Sequence, residues 1–69
     1  MADHVYKSVE ITGTSSKGVD EAVRSAVRRA SKSLHNLRWF EVVGVRGEIK
    51  KDEVVHWQVT TKIGFTLDE

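Results

Sequence analysis

The chain has no cysteine and no proline. Without thiols there can be no disulfide, no thiolate metal centre and no cysteine nucleophile. Long hydrophobic runs are missing as well. The apolar stretches are only a few residues long, so no membrane span or secretory leader is visible, and the cytoplasm is the expected location. An excess of one charge is also absent: eleven Lys and Arg stand against ten Asp and Glu. A dedicated nucleic-acid binder usually shows a clear basic surplus. Phosphate-cradling glycine patterns and spaced metal-ligand sets are lacking too, since His35 and His56 have no partner at ligand spacing. Glu10, Glu41 and Glu48 do not form an acid–base pair by spacing, and no Ser/His/Asp set is evident, so a non-enzymatic protein is expected.

What is present is a chain that should fold, with 30% charged and 39% hydrophobic residues. Sixty-nine residues make one domain, 1–69. A domain of this size buries only roughly 60% of its unfolded surface. With no cross-link available, self-association is the remaining source of stability.

The first strand is predicted from about His4 to Thr12. Val5, Val9 and Ile11 share one face, and Tyr6, Ser8, Glu10 and Thr12 the other. The segment from Gly13 to Gly18 reads as a turn whose hydroxyls offer helix caps. A helix follows: Val19, Ala22, Val23, Ala26, Val27, Ala30, Leu34 and Leu37 recur at three- and four-residue spacing. Asp20 and Glu21 complement its positive end, and Asp20 with Arg24 is a favourable four-apart pair. A second strand, from about Trp39 or Phe40 to Lys50, switches hydrophobic phase, which predicts a bulge near Val43-Gly44. After a turn at Lys51-Asp52-Glu53, a third strand alternates from about Val54 to Leu67. The fold class is therefore α+β, in the order β-α-β-β. A twenty-residue helix spans about 30 Å and a fourteen-residue strand roughly 46 Å. One helix cannot cover such a sheet, so the uncovered apolar residues need a partner, most simply another copy.

Two residue types suggest a ligand. Trp39 offers a flat stacking surface near a helix–strand junction, and Gln58, on the polar side of the third strand, offers an amide donor and acceptor. Taken alone, Trp39 is more often a core plug and Gln58 a solvated strand residue. Trp57 lies on the apolar face of its strand and reads as packing at a subunit interface.

Several short segments resemble the dodecin family in order and over nearly the whole chain. They are Val9-Glu10-Ile11-Thr12-Gly13-Thr14-Ser15, Trp39-Phe40-Glu41-Val42, Val45-Arg46-Gly47, His56-Trp57-Gln58-Val59-Thr60 and Lys62-Ile63-Gly64-Phe65. The resemblance implies a three-stranded antiparallel sheet partly wrapped around one helix, assembled as a hollow homododecamer. It implies flavins bound in stacked pairs, with FMN the preferred ligand and riboflavin the alternative, in a protein that stores and buffers flavin. Trp39 matches the stacking tryptophan and Gln58 the residue that reads the ring edge. Arg46 matches a position near the phosphate, and His4 lies near another such position on the first strand. An electron-rich indole against excited flavin also implies quenching and photoprotection.

Two positions depart from the pattern of many bacterial members: Glu48 stands where histidine is common, and Thr66 where arginine is common. The second departure removes one phosphate contact, which keeps riboflavin in play. A different class of function rests on Arg24, Arg28, Arg29, Lys32 and Arg38. This basic run usually denotes a solvated helix face, but it could instead bind nucleic acid.

Overall fold

The computed structural model describes residues 3–67, with strand β1 (Tyr6–Ser15), helix α1 (Val19–Ala30) and strands β2 (Leu37–Lys50) and β3 (Glu53–Thr66). The three strands form one antiparallel sheet in the order β1-β3-β2. This is the expected α+β architecture. β3 is central because it carries the inward apolar series, with Val59 and Ile63 almost completely buried. Thr61 is also fully buried and satisfies its hydroxyl by donating to the Ile11 carbonyl at 3.2 Å.

β1 runs three residues beyond the predicted end at Thr12. Gly13 does not turn the chain; it stays in the ladder opposite Val59. The reason is packing against α1. A Cβ at Gly13 would overlap the Ala22 carbonyl oxygen and press on the Ala26 Cβ at 3.1 Å. Ala22, Val23, Ala26 and Ala30 are buried on this side of the helix, with Val19 and Val27 packed at the edge. Small side chains and a glycine thus let helix and sheet approach closely.

α1 is shorter than its hydrophobic spacing predicts. It stops at Ala30, where the N–H groups of Ser33 and Leu34 both turn back to the Ala30 carbonyl at 3.1 and 2.9 Å. Ser31 donates its hydroxyl to the Arg28 carbonyl at 2.7 Å, a local bond that competes with helix continuation. Asn36 then adopts φ 64°, a left-handed conformation that asparagine tolerates. Leu37 consequently belongs to β2. At the other end no hydroxyl caps the helix: Ser15 Oγ accepts from the Lys17 N–H, and the Gly18 carbonyl accepts from Ala22. Arg24 pairs with Glu21 at 3.8 Å, not with Asp20.

β2 and β3 are joined through Lys51 and Asp52, whose φ values of 52° and 67° suit a tight two-residue hairpin turn. The twelve-residue helix spans only about 18 Å beside fourteen-residue strands. The chain is accordingly long and thin, 55 × 20 × 14 Å, with a radius of gyration of 14.3 Å. A globular chain of this length would have roughly 11 Å. Its accessible surface is 5393 Å², about 1,000 Å² above what size scaling gives a globular monomer. Phe40, Val42, Val45, Ile49 and Val54 are among the exposed apolar residues. Between α1 and β2 lies an apolar groove lined by Val19, Val23, Val27, Phe40 and Val42. The core is open along one side.

Candidate functional site

Two single-residue irregularities in the β2–β3 ladder decide which side chains reach the open face of the sheet. Leu37 pairs with Phe65 and Trp39 with Gly64, so Arg38 is an extra residue. Were the ladder regular from Leu37, with Arg38 paired to Gly64, Trp39 would stand opposite the buried Ile63 on the helix-covered face. The bulge turns the indole to the other face. Val42 pairs with Thr61 and Gly44 with Thr60, so Val43 is a second extra residue. That irregularity falls where the sequence predicts it. It places Arg46 opposite Gln58 and on the same open face as Trp39. A third register shift, between Glu48 and Ile49, lies nearer the hairpin tip.

Trp39 is 40% exposed and lies over Gly64. A Cβ at Gly64 would fall among the indole atoms Cε2, Cζ2 and Cδ2. Tyr6 meets the indole edge-on, with centroids 6.2 Å apart, and His4 meets Tyr6 at 6.4 Å. A glycine floor and an aromatic edge therefore hold one face of the indole while leaving part of the ring accessible. Side-chain chemistry does not single out Gly64. A glycine inside an alternating strand, between Ile63 and Phe65, is the signal that marks a close approach.

Arg46 Nε donates to Gln58 Oε1 at 2.9 Å. One row further along the same face, His56 Nδ1 and Glu48 Oε1 are 3.2 Å apart. On the other side of β3, the Thr12 and Thr60 hydroxyls are 2.9 Å apart. The open face is thus polar and paired at the Gln58 end, and aromatic at the Trp39 end.

Within one chain the candidate residues form two groups. Gln58 and Gly64 are six residues apart on β3, so Trp39 and Gln58 are separated by roughly 20 Å at ~3.3 Å per residue. His4 belongs to the Trp39 end and Arg46 to the Gln58 end, so one chain does not bring these two basic residues to the same phosphate. The basic run is likewise divided: Arg24, Arg28 and Arg29 lie on α1, Lys32 follows it, and Arg38 is in β2. Among the described residues no cluster of three or more His, Cys, Asp or Glu could hold a metal ion. No helix is long and apolar enough to cross a membrane.

Fold and site together define a class: small α+β proteins in which one short helix is partly wrapped by a three-stranded sheet whose open face carries an aromatic platform. Within that class the chain belongs to the dodecin family, whose model (Dodecin) matches residues 5–68. It is 46% identical to a dodecin of Thermus thermophilus over 65 residues, 94% of either chain. Among solved structures, dodecin from Streptomyces davaonensis superposes with a TM-score of 0.93 at 54% identity, covering 99% of this chain and all of that one. Dodecin from Streptomyces coelicolor gives 0.93 at 55%, covering 100% and 99%.

Proposed function

We propose that this protein is a non-enzymatic flavin store and buffer, binding FMN or riboflavin in stacked pairs within a cytoplasmic homododecamer. The observation that carries the proposal is Trp39, an indole turned out of the core by a bulge and seated on glycine. Indole is an electron-rich surface for a flat, electron-poor isoalloxazine. Gln58 supplies the amide that meets the ring's polar edge. The terminal nitrogens of Arg46 are the best candidates for the phosphate, with His4 a further contact from another copy. Thr66 in place of arginine leaves the phosphate less firmly held, so riboflavin stands as the alternative to FMN, the preferred ligand.

The same geometry supports self-association. The platform and the amide lie roughly 20 Å apart in one chain, so a ligand that touches both must be shared between copies. The exposed apolar residues of β2 and the open groove beside α1 supply surface for the contact. Photoprotection follows from stacking, because electron transfer from indole to excited flavin quenches fluorescence before photochemistry.

The test is a titration of the ligand-free assembly with FMN and with riboflavin, followed by fluorescence and by size-exclusion chromatography. Quenching that saturates near one flavin per chain on a dodecamer-sized particle is expected. An intact large assembly that quenches neither flavin would overturn the proposal. Trp39→Phe separates binding from protection: bound flavin as dark and as photostable as in the parent would remove the photoprotective role.

A further inference from the structure

Arg46 carries a second task. Its guanidinium has only donors, so the Gln58 amide atom facing Nε at 2.9 Å must be the oxygen. The amide is thereby given a direction. Its oxygen is held on the β2 side and its NH₂ group is turned away. An unpinned glutamine exchanges these two ends freely, and half of its orientations would present the wrong group to a ligand.

The neighbours keep Arg46 on this partner. The nearest carboxylate on the same face of β2 is Glu48, and it is engaged by His56 Nδ1 at 3.2 Å. The second bulge of β2 sets the register that puts Arg46 opposite Gln58. The bond uses Nε, and the two terminal nitrogens have no partner among the described residues.

We infer, given the flavin ligand proposed above, that Arg46 is a positioning residue for Gln58, fixing the amide so that its NH₂ group donates to a ring carbonyl and its oxygen's second lone pair remains for the ring N–H. A flavin's pyrimidine edge presents carbonyl, N–H and carbonyl in sequence, and an amide of fixed direction matches one adjacent pair of these. The same guanidinium still offers its terminal nitrogens to a phosphate, so ring reading and phosphate binding share one side chain.

Riboflavin has no phosphate, and this separates the two tasks. Titrations of riboflavin and FMN would be compared for the parent, Arg46→Ala, Gln58→Ala and the double variant, each checked for an intact assembly by size exclusion. With the amide unpinned, Arg46→Ala weakens riboflavin binding by about tenfold, the order of one charge-assisted hydrogen bond. The double variant binds riboflavin no more weakly than Gln58→Ala alone, because Arg46 acts through Gln58. Unchanged riboflavin affinity in Arg46→Ala, with a loss for FMN only, would overturn the inference and leave Arg46 as a phosphate contact.

A flavin-free readout distinguishes failure of the ligand from failure of the positioning. Gln58 is the one glutamine in the chain, so side-chain ¹⁵N-glutamine labelling of the ligand-free protein reports a single NH₂ pair. Its two proton signals are expected to shift and broaden in Arg46→Ala. Signals unchanged by Arg46→Ala would overturn the pinning. Shifted signals in a protein that binds no flavin would uphold the pinning while removing the flavin store.

Discussion

Gly64→Ala adds one methyl group directly beneath the proposed platform. The new carbon would overlap Cε2 and Cζ2 of Trp39 and lie 2.6 Å from Cδ2, so the indole cannot stay where it is. Overpacking of a closed core costs about 1–3 kcal/mol. Here the ring is 40% exposed and can swing outward, which limits the loss of fold stability to about 1 kcal/mol, the lower end of that range. The effect on ligand is larger. Stacking of a planar base on an aromatic side chain is worth about 1–3 kcal/mol, which corresponds to roughly 5- to 150-fold in affinity. The assay is flavin titration by fluorescence quenching on an assembly shown intact by size exclusion, with thermal unfolding measured alongside. Expected are a dodecamer-sized particle, a small drop in melting temperature, and flavin affinity reduced within that range. If Gly64→Ala binds flavin as tightly and quenches it as fully as the parent, the indole is not the platform.

Gln58→Ala should weaken flavin binding by about 1–3 kcal/mol by leaving ring polar groups unpaired; isothermal titration that finds no change removes Gln58 from the site. Val45→Asp places a charge on an apolar residue that is 50% exposed in the single chain. It should dissociate the assembly and abolish flavin binding with it, since platform and amide lie far apart in one chain; a small, monomeric species that still quenches flavin would contradict the shared site. Gly13→Ala collides with the Ala22 carbonyl and should destabilise the fold by about 1–3 kcal/mol, read as a lowered unfolding midpoint by circular dichroism.

Much of the fold was legible because burial leaves a period. The β3 alternation, the α1 stripe and the phase switch at Val43-Gly44 are each the trace of one apolar face, and each is matched by an observed element. The boundaries were less legible. Leu34 and Leu37 continue the helical spacing, yet local bonds from Ser31, Ser33 and Leu34 end the helix at Ala30. Gly13 looks like a turn residue in the chain and proves to be the contact that lets α1 lie against β1. Periodicity records which face is buried but not where local hydrogen bonding stops an element.

The site divides in the same way. Trp39 and Gln58 stand out by side-chain chemistry and by family resemblance, with no knowledge of the fold. The extra residue at Arg38, the glycine floor at Gly64 and the pairing of Arg46 with Gln58 are matters of register, which depends on residues far apart in the chain. A shift of one residue reverses every side chain of a strand. The amino-acid sequence by itself determined a small, uncrosslinked β-α-β-β chain of the dodecin family, because composition and hydrophobic spacing act locally. Only the tertiary structure decided that Trp39 leaves the core and that Arg46 pins Gln58, because both depend on how β2 registers against β3.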